Sequence, residues 1–234
     1  MNSSDIYING TYLNNNPDWG IKDAIWKAGI ISQLLKKNNI TPKEIIEVGC
    51  GAGEILNALS KDLGKNIKLK GYDISPQAIA MAKKLENENL NFYNEDITLA
   101  QNIHTQLLLM IDVLEHVDDY YNFLGALKNE SEFFVFHIPL DLACRTILKP
   151  HVLMQQRNAV GHIHYFTKEM VQWALKDKGY TILDWTYTKP VIDVDPPDSF
   201  KRRIKKILRN ISFSINKDLS AKLWGGYSMM ILAK

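Results

Sequence analysis

The chain has 234 residues, 46% of them hydrophobic and 23% charged, a balance that excludes a disordered or fibrous protein and is long enough to bury one sizeable core. No apolar run reaches the roughly 20 residues of a bilayer-crossing helix, and the start MNSSDIYING lacks the basic-then-apolar order of a secretion signal, so a cytoplasmic protein is expected. The net charge of +2 hides a division, with 19 Lys+Arg against 25 Asp+Glu in residues 1–200 but 9 against 1 in 201–234, which confines any attraction for phosphate, nucleic acid or anionic lipid to the C-terminal segment.

In chain order, Tyr7, Tyr12 and Trp19 come first, as candidate lid residues or simply as packing groups. Ile21, Ala24, Ile25, Ala28 and Ile31, continued by Leu34 and Leu35, recur at helical spacing and predict an amphipathic helix over 21–37. From Glu44 the strands EIIEV, IKLKGY, NLNFYN, TQLLLMI and EFFVFHI alternate with helices that start near Glu54, Pro76 and His116. That alternation predicts a parallel sheet with crossovers. Residues 140–160 read as an insertion of loop and short helix. Thr167 caps a helix over 168–178 that Gly179 closes, and YTILDWTY is the sixth strand. The Pro- and Asp-rich stretch 190–199 reads as an exposed turn, and YSMMILA is the last strand. Cys50 and Cys144 lack CxxC spacing and no histidines cluster at ligand spacing, so reduced thiols and no metal are expected.

The string EVGCGAGE over 47–54 follows a strand and opens a helix, the context of a nucleotide loop. Gly49, Gly51 and Gly53 permit a tight turn and close approach to a ligand. A dinucleotide fingerprint has glycine where this chain has Glu54. With Glu47 before the turn and Glu54 after it, the loop suits a cationic ligand without phosphate. Asp73 ends the second strand in GYDIS, 24 residues after Gly49, where an acid binds ribose hydroxyls in Rossmann-like folds; its alternative, capping the helix at Pro76, suits Ser75 better. Asp96 in NEDIT is placed to accept from an adenine amino group, with Ile74 and Ile97 as apolar faces for the purine; on its own it reads as a solvated loop aspartate.

EVGCGAGE, GYDIS, NEDI and IDVLEHV together resemble the successive motifs of class I S-adenosylmethionine-dependent methyltransferases, over residues 40–140. GHIHYFTKEMVQWALKDKGY is similar to the segment before the sixth strand in ubiquinone-biosynthesis-like small-molecule O-methyltransferases. The resemblance implies a Rossmann-like, doubly wound α/β fold: a mostly parallel seven-stranded sheet with an antiparallel last strand, a cap over 1–40, a cofactor core over 41–139, and a substrate-side half over 140–234 with insertions after strands 5 and 6. It implies S-adenosylmethionine as cofactor, with Glu47, Gly49 and Gly51 at the methionine part, Asp73 at the ribose and Asp96 at the adenine; Cys50, Gly53, Asp112 and the purine-facing Ile74 and Ile97 complete the expected cofactor site.

Methyl transfer from a sulfonium needs alignment and the removal of one acceptor proton. His137, His116 and His162 are the candidate bases, with His164 beside them. Each has a structural alternative: His116 as part of a helix start, His137 as a satisfied core histidine, and one of His162 and His164 as a solvent-facing residue. Tyr165 and Arg157 are weaker substrate candidates. Asp195, Pro196, Pro197 and Asp198 resemble an amino-methyltransferase motif but stand far from the fourth strand and lack its aromatic, so a proline turn is expected. The expected acceptor is a small-molecule hydroxyl on a sugar or a lipid- or phosphate-bearing glycan intermediate. A quinone or phenolic precursor and a non-catalytic binding protein are the alternatives, and an acidic body makes nucleic acid a poor partner.

Over 200–215 an apolar stripe of Phe200, Ile204, Ile207, Leu208, Ile211 and Ile215 alternates with Lys201, Arg202, Arg203, Lys205, Lys206 and Arg209. Peripheral contact with an anionic membrane at its inner surface is one reading. Packing of the apolar stripe on the body is the reading that Ser212, Ser214 and the position between strands six and seven favour.

Overall fold

A computed structural model describes residues 5–17, 19, 21–64, 66–100, 103–194 and 199–234. The strands are β1 (Glu44–Val48), β2 (Lys68–Asp73), β3 (Leu90–Asn94), β4 (Thr105–Ile111), β5 (Ser131–Pro139), β6 (Ile182–Thr188) and β7 (Ser228–Ala233). They form one seven-stranded sheet in the order β3-β2-β1-β4-β5-β7-β6. β1 to β5 are parallel neighbours, and β7 is antiparallel to both β5 and β6. The helices are α1 (Asp5–Ile8), α2 (Thr11–Asn15), α3 (Ile21–Lys37), α4 (Glu54–Asp62), α5 (Pro76–Ala82), α6 (Tyr120–Leu127), α7 (Cys144–Ile147), α8 (His151–Val160), α9 (Lys168–Asp177), α10 (Pro190–Asp193), α11 (Phe200–Ile215) and α12 (Lys217–Trp224).

Each strand of a parallel sheet is covered on both faces, so its side chains alternate between two cores. Leu107, Leu109 and Ile111 join Ile31 and Leu35 of α3 and Leu56 and Leu59 of α4 in one core. Leu108 and Met110 join Leu124 of α6 and Val171 and Leu175 of α9 in the other. The sheet is thus doubly wound, with β1, β2 and β4 ending on the same edge where their loops meet. Caps set the helix starts: Ser75 Oγ accepts from Ala78 N at 3.3 Å and Thr167 Oγ1 from Met170 N at 3.3 Å. Gly179, with φ +83°, follows the last turn of α9 in the left-handed region.

Four expectations change. The helix expected near His116 starts at Tyr120, because Asp119 Oδ1 caps it by accepting from Asn122 N at 3.0 Å, while Leu114–His116 is a 3₁₀ turn. Neither His162 nor His164 is turned to solvent, since His164 Nε2 lies 3.0 Å from Val117 O and His162 Nδ1 2.8 Å from Asp141 Oδ2. The apolar stripe of α11 does not pack on the body. The residue it buries is Arg209, whose Nη2 donates to Trp224 O at 3.2 Å, and Phe213 stacks on Tyr227 with ring centroids 5.2 Å apart. The exposed turn expected over 190–199 is instead helical at its start, where α10 buries Ile192 against Ala221 and Tyr227; residues 195–198 lie outside the described residues. Among the described residues, no helix is long and apolar enough to cross a membrane.

Candidate functional site

The β1, β2 and β4 ends open into a cavity of about 880 Å³ lined by residues of all three loops and of the N-terminal segment. Gly49, Gly51 and Gly53 carry φ of +66°, +53° and +80°, a region that L side chains rarely occupy. A Cβ at Gly53 would stand 2.5 Å from Phe92 Cζ and 3.1 Å from Ala82 Cβ, while at Gly51 its nearest neighbour is Trp19 at 3.8 Å. Gly53 is therefore required by packing and Gly51 keeps the backbone open to the cavity. Gly53→Ala is expected to destabilise the protein by about 2–4 kcal/mol, from left-handed strain plus overpacking, read as a lower urea midpoint.

Asp73 ties two of these loops together. Its Oδ2 accepts from Gly51 N at 2.8 Å and its Oδ1 from Ser75 N at 2.8 Å. Burial raises its pKa, and the two N–H groups partly counter that rise. Asp96 Oδ1 accepts from Thr98 N at 2.9 Å and from the Thr98 hydroxyl at 2.7 Å, which shapes the turn holding Ile97. Asp73, Ile74, Asp96 and Ile97 all line the cavity with Cys50, whose thiol is pushed up by burial.

Glu47 is 1% exposed, and its Oε2 meets no hydrogen-bond partner among the described residues. Burial pushes its carboxyl well above the usual range, although Lys27 pulls the other way. An unsatisfied buried carboxylate is costly unless a ligand completes it. The cost predicts a trade-off. A raised folded pKa means that Glu47's stabilising contribution is present below its unfolded value of about 4.3 and is lost as pH rises towards the folded one. Glu47→Gln is therefore expected to raise the melting temperature of the ligand-free protein by about 2–4 °C at pH 8 and by less at pH 5, while weakening cofactor binding.

Asp112 follows β4 with φ +54°, an uncommon conformation for a residue other than glycine. Its Oδ2 pairs with Lys27 Nζ at 2.6 Å and its Oδ1 with His137 Nδ1 at 2.6 Å, while Lys27 also meets Asp23 Oδ2 at 2.8 Å. A carboxylate only accepts, so Nδ1 carries the proton, and His137 Nε2 lies 2.8 Å from the Thr188 hydroxyl. Burial alone would raise the Asp112 pKa, but His137 and Lys27 together hold it well below the carboxylate range. Both ring nitrogens of His137 are thus engaged by the protein. Lys27, unassigned from sequence, is the cation of this relay; its signal was a lysine on the buried stripe beside Ala24, Ala28 and Ile31.

At the other end of the cavity, the fold brings Glu115, His116 and His162 together, with potential ligand atoms all within 4.8 Å of one another. Sequence spacing conceals this group, which is the donor set that could hold a cation among the described residues. Glu115 is fully buried, and among the described residues neither carboxyl oxygen has a hydrogen-bond partner, although Oε1 lies 3.9 Å from His116 Nε2. Burial and then the Asp112 charge push its pKa well up. His116 Nδ1 lies 2.8 Å from Tyr7 Oη and 3.1 Å from Gly161 O, and burial plus His162 lower its pKa to about 4. His162 Nδ1–H faces Asp141 Oδ2, whose other oxygen accepts from Gln156 Nε2 at 2.9 Å. Nε2 is the ring nitrogen of His162 that Asp141 does not hold, and His162 lines the cavity. Sequence reasoning missed Asp141 as the partner of this histidine and Glu115 as its neighbour in the cavity.

Tyr7, Tyr12 and Trp19 form an aromatic run over the cavity, with ring centroids 5.0 Å and 4.6 Å apart. Tyr7 Oη donates to Val160 O at 3.2 Å, and Asn16 Nδ2 to Ala159 O at 2.8 Å, which straps the segment to α8. Arg157 and Tyr165 are not among the cavity residues; the Tyr165 hydroxyl donates to Leu153 O at 3.0 Å.

Residues 24–184 match the family model described as a methyltransferase domain. Over 73 residues the chain is 37% identical to the ribosomal RNA small subunit methyltransferase A of Mesomycoplasma hyopneumoniae, a match covering 31% of this chain and 27% of that relative. Two solved structures show the fold. The magnesium protoporphyrin IX methyltransferase of Synechocystis PCC 6803, with SAH bound, aligns at TM-score 0.60 and 15% identity over 89% of this chain and 82% of its own. A chain of the complex between the Haloferax volcanii Trm112 methyltransferase activator and a methyltransferase aligns at TM-score 0.67 and 14% identity, over 97% and 95%. With its matched motifs and this sheet order, the chain belongs to the methyltransferase-domain family of class I S-adenosylmethionine-dependent methyltransferases.

Proposed function

We propose that the protein methylates a hydroxyl of a small, polar acceptor, a sugar or glycan intermediate, with His162 as general base. Bound S-adenosylmethionine supplies an electrophilic methyl group. The residues present fit it: the orphaned Glu47 oxygen suits its ammonium, Asp73 a ribose diol and Asp96 the adenine amine, in a cavity large enough for cofactor and acceptor together. Gly49, Cys50, Gly51 and Gly53 shape the loop around the methionine part, Ile74 and Ile97 flank the purine, and Asp112 holds Lys27 and His137 behind it.

The observation that carries the acceptor reading is the Asp141–His162 pair beside Glu115. Asp141 fixes the imidazole with Nδ1–H inward and Nε2 outward, the arrangement of an oriented base. The buried Glu115 carboxyl, with no hydrogen-bond partner among the described residues and its pKa raised, offers one donor and one acceptor to neighbouring hydroxyls, which favours a polyol over a phenol. Tyr7, Tyr12 and Trp19 supply flat faces for its ring. His137, with both nitrogens engaged, acts as a positioning residue, and His116 packs against His162 with centroids 5.0 Å apart.

The test is transfer of labelled methyl from S-adenosylmethionine to a panel of sugars and phenols. His162→Ala is expected to lower kcat about 100-fold or more with cofactor affinity intact, and added imidazole to restore part of it. Unchanged kcat would remove the base. Activity abolished by EDTA and restored by a divalent cation would instead assign Glu115, His116 and His162 to a metal. Cofactor binding with no turnover on any acceptor would favour the non-catalytic reading, and phenols turned over in preference to sugars would favour the quinone-precursor one.

A further inference from the structure

Helix α11 is docked through a narrow side, while Lys201, Arg202, Arg203, Lys205 and Asn210 stay exposed. Arg209, Ser212 and Phe213 hold it: Arg209 is 7% exposed, Ser212 Oγ lies 2.8 Å from Ser220 Oγ, and Phe213 stacks on Tyr227. At about 100° per residue, Phe200, Ile204, Ile207, Leu208, Ile211 and Ile215 fall within about 100° of arc opposite Arg209. All six are exposed, from 43% at Ile204 to 81% at Ile215. A solvated helix would present the reverse arrangement, because exposing six large apolar side chains while burying an arginine forfeits the hydrophobic contribution of each. The stripe is therefore shaped for something other than water.

Charge says what that is. Exposed Lys201 and Lys205 border the stripe on one side and Arg203 on the other, and the sequence has no acid from 199 to 217. A protein partner would need a matching groove ringed by acids, and a nucleic acid has no use for a continuous aliphatic strip. A bilayer with anionic headgroups accepts both, with the apolar stripe entering the acyl boundary and the flanking cations at headgroup level. We infer that α11 docks the protein on an anionic lipid bilayer, lying in the plane of its surface. The helix is tied to the cavity through Ile192 of α10, which packs with Ala221 and Tyr227, and Pro190 of α10 lines the cavity wall.

Sedimentation of the full chain with phosphatidylglycerol–phosphatidylcholine vesicles tests this without cofactor or acceptor, so its failure leaves the methyl-transfer reading standing. Most of the protein is expected to sediment with these vesicles and little with phosphatidylcholine alone, and raising salt from about 0.1 M to about 0.5 M should weaken binding about tenfold. Ile207→Glu with Ile211→Glu should abolish binding with the melting temperature unchanged, because both side chains are exposed; Lys201→Glu with Lys205→Glu should weaken it. Absence of binding to anionic vesicles, equal binding to neutral ones, or binding that survives the double glutamate variant would overturn the inference. So would a wild-type dimer in gel filtration that the same variant dissolves, which would give the stripe to a second copy.

Discussion

Asp73→Ala is expected to weaken S-adenosylhomocysteine binding about 100-fold or more while the protein remains folded. Two effects combine. The substitution removes the acceptor proposed for the ribose diol, and it releases Gly51 N and Ser75 N, which Asp73 holds at 2.8 Å each. A hydrogen bond to a charged acceptor contributes about 1.5–3 kcal/mol, so losing the ligand contacts alone corresponds to about 10–100-fold, and loosening the glycine loop adds to it. Asp73→Asn keeps one oxygen and is expected to lose less. Calorimetric titration reads both variants, and affinity unchanged in Asp73→Ala would remove this residue from the site.

Lys27→Met is expected to cost about 2–4 kcal/mol of stability in urea unfolding. Breaking a buried ion pair typically costs about 3–5 kcal/mol because the remaining charge is stranded. Here the Lys27 side chain is 11% exposed and Asp112 27%, and His137 still faces Asp112, so the lower figure applies. Lys27→Met combined with Asp112→Asn should recover part of the loss, since no charge is then left alone. The pH dependence has a fixed sign. Asp112 is held below its unfolded value of about 3.9, so its contribution is present above that pH and is lost as pH falls through the depressed one. The gap between wild type and Lys27→Met should therefore narrow on acidification below about pH 4; a gap that stays constant would contradict the relay.

The parallel core was legible because each of its strands is a short apolar run bounded by turn residues, and the glycine loop because Gly49, Gly51 and Gly53 sit between a strand and a helix. Caps at Ser75 and Thr167 read directly, each hydroxyl having its backbone N–H donor three residues on. Less legible was anything set by a partner remote in sequence. Periodicity defines the stripe of α11 but not the direction it faces, which Trp224 and Tyr227 decide from downstream. A lysine on a helix gives no signal by residue type, and only the place of Lys27 on the stripe of Ala24, Ala28 and Ile31 marks it as buried. Glu115, Asp141 and His162 stand on three separate turns, and only the closing of the sheet edge brings them to one cavity.

The most direct measurement is calorimetric titration of the wild-type protein with S-adenosylhomocysteine and, in parallel, with NAD⁺. Glu47 and Glu54 beside the loop favour a cationic amino acid over a pyrophosphate, so saturable one-to-one binding of S-adenosylhomocysteine with no heat from NAD⁺ is predicted. No binding of S-adenosylhomocysteine, or comparable affinity for NAD⁺, would contradict the assignment of this cavity to the methyl donor.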